Sequence, residues 1–204
     1  MARTISYWDE ETIASLKSTG EGGQAAQTEP LRYKGTDIYG LNGAVKSVKS
    51  SEGSYKFDQA GNLVFKEDFY DNGPIAYEYL TPTSYKLDGW GDVIVNITIE
   101  DGKRSDICPD ASTNTELDQV YLFDKKDRII SRKFTSHMAY VTLTYSYEGN
   151  SKHPKTMVSQ HPEEGTVTCH YTYTKFDKQK NWIERKVNCA DSKEYTEKRT
   201  IEYW

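Results

Sequence analysis

The chain has 204 residues, with 26 Lys and Arg against 31 Asp and Glu and a formal net charge of -5 at pH 7. That length suits one domain, and the acidic balance gives no general attraction to phosphate backbones, so no nucleic-acid partner is expected. Tyr outnumbers Phe by 16 to 6, which suits half-exposed sheet, where the ring packs and the hydroxyl reaches water or a partner.

No stretch approaches the run of about 18 apolar residues that a transmembrane helix requires, so no transmembrane segment is expected. The first thirty residues lack the apolar stretch of a secretion signal. As it stands, the chain reads as cytosolic or as a mature domain from which a signal has been removed. Residues Ser6 to Lys17 fit a short helix, with Asp9, Glu10 and Glu11 at its start and Ile13 and Leu16 on one side. Ser18 to Glu29, rich in Gly, Gln and Thr, reads as a linker or mobile tail. The expected division is therefore an N-terminal helix and linker over 1–30, followed by one antiparallel β domain over 31–204.

From Asp37 onward the pattern is short strands separated by turns. Val93, Val95, Ile97 and Ile99 share one face of a strand whose other face carries Ile94, Asn96, Thr98 and Glu100. Val141, Leu143, Tyr145 and Tyr147 alternate with Thr142, Thr144 and Ser146 in the same way, as do Val167, Cys169, Tyr171 and Tyr173 with Thr168, His170, Thr172 and Thr174. No continuous apolar run of the kind a parallel sheet needs occurs, so the pairing is antiparallel.

Four turns align without gaps: Phe57-Asp58-Gln-Ala-Gly61-Asn62-Leu63, Leu87-Asp88-Gly-Trp90-Gly91-Asp92-Val93, Phe123-Asp124-Lys-Lys-Asp127-Arg128-Ile129 and Phe176-Asp177-Lys-Gln-Lys180-Asn181-Trp182. Tyr55, Tyr85 and Tyr121 stand two places before the first three motifs, and Tyr173 three places before the fourth. Each Asp can cap its turn by accepting backbone N–H bonds, and Gly61 or Gly91 can take the positive φ that such a loop requires. Tyr70-Asp71-Asn72-Gly73 signals one more hairpin. Turn spacing gives a meander of about twelve strands, as a curved open sheet, a sandwich or a compact barrel.

Y-K-F-D-Q-A-G-N-L and Y-L-F-D-K-K-D-R-I resemble the YD repeat of RHS-type bacterial surface and toxin proteins. The opening D-I-Y-G-L-N-G-A-V-K-S-V-K and the closing F-D-K-Q-K-N-W-I-E-R are similar to small secreted or lipid-anchored proteins of gut Bacteroidota. The resemblance runs from about Asp37 to Trp204. It implies a β meander and export to the periplasm or outer surface, with a cytoplasmic location as the alternative, and it carries over no catalytic residue.

The candidate chemistry is sparse. His137, His153, His161 and His170 form no metal-ligand spacing, and neither a metal nor a cofactor is called for. His153 and His161, each followed by Pro, read as loop residues. Cys169 and Cys189 flank the last Asp turn and fall opposite or one register apart, either as two buried thiols or, in an exported protein, as a cross-strand disulfide. Cys108 would then be the unpaired thiol. The acidic stretch Glu100 to Asp118 reads as a solvated loop, with a hydrolase built on its carboxylates as a distant alternative. Trp90 and Trp182, beside Asp turns, together with Tyr85, Tyr121 and Tyr173, form a weak binding set, either as a platform or as packing. The leading expectation is a non-enzymatic binding module for a glycan or protein partner at the cell envelope, and the second is a barrel carrying a small apolar ligand.

Overall fold

The computed structural model describes residues 32–68, 74–88, 93–108, 118–135, 140–190 and 192–204. The expected helix over 6–17, the linker, the Asn72-Gly73 hairpin tip, Trp90, Gly91 and His137 lie outside the described residues. One helical turn, α1 (Gly35–Ile38), precedes fourteen strands: β1 (Val45–Ser50), β2 (Gly53–Phe57), β3 (Leu63–Asp68), β4 (Ile75–Thr81), β5 (Ser84–Asp88), β6 (Val93–Glu100), β7 (Lys103–Ile107), β8 (Asp118–Phe123), β9 (Ile129–Thr135), β10 (Tyr140–Ser146), β11 (Thr156–His161), β12 (Gly165–Phe176), β13 (Trp182–Cys189) and β14 (Tyr195–Tyr203). Each strand pairs antiparallel with its sequence neighbours, and β1 pairs with β14, so the meander closes into a barrel. Of the three architectures open to the sequence, the chain adopts the barrel, with fourteen strands rather than about twelve.

One strand that the sequence did not reveal is informative. β7 lies inside the stretch read as a solvated acidic loop, and it carries Arg104, Ser105 and Asp106 buried. The sequence-level reading fails there because Arg104 and Asp106 neutralise each other, which allows both to face inward. Elsewhere the alternation runs as expected: along β6, Val93, Val95 and Ile97 are buried while Ile94, Asn96 and Thr98 are exposed.

Asp58, Asp124 and Asp177 cap their turns. The Asn62 N–H donates to Asp58 Oδ1 at 2.8 Å, the Lys126 and Arg128 N–H groups to Asp124 Oδ1 at 2.8 and 3.0 Å, and the Gln179 and Asn181 N–H groups to Asp177 Oδ1, both at 2.9 Å. The fourth residue of each capped loop has positive φ: 90° at Gly61, 55° at Asp127 and 64° at Lys180. A lysine held there is strained by its Cβ. Lys180→Gly is expected to raise the unfolding free energy by up to about 1 kcal/mol, measured by urea denaturation; a loss of stability would mean that the lysine side chain makes a compensating contact. These three turns lie at one end of the barrel, whereas the Asp88 motif joins β5 to β6 at the opposite end, so the four aligned turns do not form one surface.

Residues 32–42 cross the end that carries the three capped turns and plug it. The Thr36 N–H donates to the Gly61 carbonyl at 3.0 Å, and the Gly102 N–H donates to the Tyr33 hydroxyl at 3.0 Å. The Tyr33 ring stacks on Phe123 with centroids 3.9 Å apart. Asn181, fully buried, accepts the Asn42 N–H and returns a bond to the Asn42 carbonyl, each at 2.8 Å. Gly35 is required by close approach, since a Cβ there would stand 2.7 Å from the backbone nitrogen of Leu63. Two apolar clusters join plug to wall, centred on Tyr33 and Phe123 and on Val45 and Phe57, and a third, centred on Val95 and Ile97, is built from wall residues alone.

The outward face is different in kind. Lys46, Lys49, Lys56, Glu78, Glu100, Lys133, Lys186, Lys198 and Glu202 are exposed on it, interspersed with Thr and Ser and with a few apolar residues such as Ile94 and Leu122.

Candidate ligand site in the barrel lumen

The inner wall is aromatic and cationic rather than uniformly apolar. Period-two alternation places Tyr171 and Tyr173 of β12, Arg185 and Val187 of β13, and Glu197 and Arg199 of β14 on the inside, while Lys186 and Lys198 point out. The lumen holds a cavity of about 250 Å³ roofed by Ile38, Tyr39 and Leu41 of the plug. Tyr55, Tyr145, Tyr147, Tyr171, Trp182, Met157, Lys152, Arg185, Glu197 and Arg199 line its walls, and Glu52 of the β1–β2 turn lies toward the opposite rim.

Trp182, singled out from the sequence as platform or packing, is buried inside this wall. The guanidinium carbons of Arg185 and Arg199 stand 4.3 and 3.8 Å from its ring centroid. Arg185 also lies 4.1 Å from the Tyr171 ring centroid and donates to Glu197 Oε2 from both Nε and Nη2 at 2.6 Å. Arg199 makes no ion pair with a carboxylate among the described residues. Its Nε donates to the Trp182 carbonyl at 2.6 Å, and its Nη2 is covered, with no hydrogen-bond partner among the described residues.

Two guanidinium groups thus face the Glu197 carboxylate, and with Lys152 and Glu52 included the lining carries three cationic side chains against two carboxylates. Burial, and then the neighbouring Arg185, push the Arg199 pKa down to about 9. Burial also presses on Arg185, but Glu197 outweighs it and the net direction is upward. Burial raises the Glu197 carboxyl above its ordinary value. His153, on the β10–β11 loop, is buried against Tyr173 and Phe176; its Nε2–H faces the Lys180 carbonyl at 3.0 Å, and burial lowers its pKa.

A second, smaller space of about 20 Å³ lies on the other side of the plug, bordered by Tyr77, Tyr79, Tyr85, Tyr121, Gln119, Arg104, Asp106 and Arg132. Arg104 Nε and Nη2 grip Asp106 at 2.7 and 2.8 Å, its Nη1 donates to the Tyr33 carbonyl at 2.7 Å, and the Tyr85 hydroxyl donates to Asp106 at 3.2 Å. Tyr85 and Tyr121 are therefore inner-wall residues, like Trp182.

Cys169 and Cys189 stand directly opposite in the β12–β13 register and are joined by a disulfide, while Cys108 is buried and free. Of the acids between 100 and 118, Asp101 is exposed, Asp106 is committed to Arg104, and Asp118 accepts the Cys108 N–H at 3.2 Å. No two of them face each other across a cleft among the described residues. No group of three or more metal-ligating side chains occurs among the described residues, and no helix among them is long and apolar enough to cross a membrane.

Sequence reasoning missed Arg104, Arg132, Arg185, Glu197 and Arg199. The signal was present: Glu197, Arg199, Ile201 and Tyr203 share one strand face, and charged residues in phase with apolar ones mark a polar interior as readily as a solvated edge.

No family model matches the chain, and no curated protein matches it, so nothing found in those comparisons ties the chain to the YD-repeat proteins. Among solved structures, the chain is similar to a porin-like protein from Bacteroides vulgatus, with 10% sequence identity, a TM-score of 0.43, and coverage of 79% of this chain and 99% of that one.

Proposed function

We propose that the chain is a non-catalytic binding protein of the cell envelope whose barrel lumen encloses a small organic anion with a flat, apolar body. The observation that carries this reading is the 250 Å³ cavity in which Arg185 holds Glu197 beside Trp182, while Arg199 on the same ring makes no ion pair among the described residues. Aromatic walls with a few convergent polar groups are what a small-molecule pocket requires, and the charge surplus selects an anion. A small rotation of Arg199 would bring its covered Nη2 to a ligand in the cavity. The apolar-ligand carrier is thereby refined, since a purely apolar ligand would leave the Arg199 guanidinium unanswered.

The envelope location is supported by the Cys169–Cys189 disulfide, a bond that persists in oxidising compartments. The charged outward face suits water rather than lipid, because a membrane-spanning barrel carries an apolar band there. A surface aromatic platform for glycans has less support, since Trp182 faces inward.

Isothermal titration of the full chain with naphthalene-2-sulfonate, its neutral methanol analogue and its trimethylammonium analogue tests the reading. The sulfonate is expected to bind at least about tenfold more tightly than either, a difference of about 1.4 kcal/mol. Equal affinity for the neutral compound would return the apolar carrier, and preference for the cation would overturn the charge argument.

A further inference from the structure

The smaller chamber has an electrostatic problem of its own, whatever the larger cavity binds. Arg104, Tyr121 and Arg132 lie side by side on β7, β8 and β9, with Arg104 paired to Tyr121 and Tyr121 to Arg132 in the register. The two guanidinium carbons stand 6.0 and 5.8 Å from the Tyr121 ring centroid. Asp106 is the carboxylate bordering this chamber, and Arg104 takes both of its oxygens.

Among the described residues, Arg132 makes no ion pair with a carboxylate. Its Nη2 donates to Gln119 Oε1 at 2.8 Å, an atom that also accepts the Tyr121 hydroxyl, and its Nε is covered and has no partner among the described residues. The charges felt most strongly by Arg132 are those of tyrosines, and burial holds Tyr121 far above neutral pH, so it stays protonated and supplies no negative charge. An enclosed, uncompensated guanidinium costs several kcal/mol in a protein interior.

The geometry points to a monatomic anion, chloride under ordinary conditions, held in the small chamber as the counter-ion of Arg132. Size makes the choice, because a space of about 20 Å³ admits one body the size of a water molecule, whereas a phosphate or an organic acid is too large. A water of that size would fill the space but leave the charge unanswered.

Two measurements on the full chain decide. Thermal unfolding is followed by near-ultraviolet circular dichroism in sodium chloride and in sodium gluconate of equal ionic strength, for the parent and for Arg132→Met. Chloride is expected to raise the parent Tm by several degrees in a saturable way, and the rise is expected to vanish in Arg132→Met. Crystals of the unmutated protein soaked in bromide are expected to show an anomalous peak in the chamber beside Arg132, which keeps the test decisive should the variant not fold. The same Tm in both salts, a chloride response retained by Arg132→Met, or no bromide peak in that chamber would each overturn the inference.

Discussion

Asp106→Ala is expected to be among the most damaging single substitutions in the barrel wall, lowering the unfolding free energy by about 3–5 kcal/mol, the usual cost of breaking a buried ion pair from one side. Arg104 and Asp106 are both only 3% exposed, and the carboxylate receives two guanidinium nitrogens and the Tyr85 hydroxyl. Without it, Arg104 would keep the Tyr33 carbonyl as a partner but lose its counter-charge, beside a second guanidinium at Arg132. Urea denaturation with Tm as a second readout measures the loss. Replacing both partners, Arg104→Met with Asp106→Leu, is expected to recover most of it. A loss below about 1 kcal/mol in Asp106→Ala, the range of an exposed pair, would show that the chamber is open to water.

Arg199→Met is expected to separate binding from stability. It should weaken naphthalene-2-sulfonate by at least about tenfold while leaving the unfolding free energy unchanged or higher, since it removes a buried charge that makes no ion pair with a carboxylate among the described residues. Titration calorimetry and denaturation on the same preparation check the two halves; parallel losses would mean that Arg199 is a structural strut.

The pH dependence follows from the same groups. Arg199 is a base whose folded pKa, about 9, lies below its ordinary value. Sulfonate affinity should therefore fall as pH rises through about 9, while the charge cost of burying Arg199 is relieved over the same interval, so its contribution to stability moves the other way. Toward acid, Glu197, an acid whose pKa is raised by burial, is neutralised above its ordinary range. Loss of that competing carboxylate should strengthen sulfonate binding. His153, whose pKa burial lowers, charges only below the ordinary histidine range and acts in the same direction.

Much of the wall was legible in the sequence because alternation between apolar and polar residues is a local signal. Val93 to Ile99 could be read residue by residue, and so could the Asp58, Asp124 and Asp177 caps, whose bonds close within four residues. The lumen was not legible, because a polar interior removes the contrast on which the method depends. In Glu197 to Tyr203, charged residues occupy both faces, and only the cross-strand partner Arg185 shows which side Glu197 occupies. β7 was lost for the same reason, and ring closure stayed one of three open architectures because the pairing of Val48 with Ile201 is written nowhere in the neighbourhood of either residue.

That last pairing also sets a timetable for synthesis. Every other strand contact joins sequence neighbours and can form as the chain emerges, but β1 must wait for β14. Long-range closure of this kind is slow. Because β14 also delivers Glu197 and Arg199, the wall is sealed and those two charges reach the lumen in one step, when β14 pairs with β1.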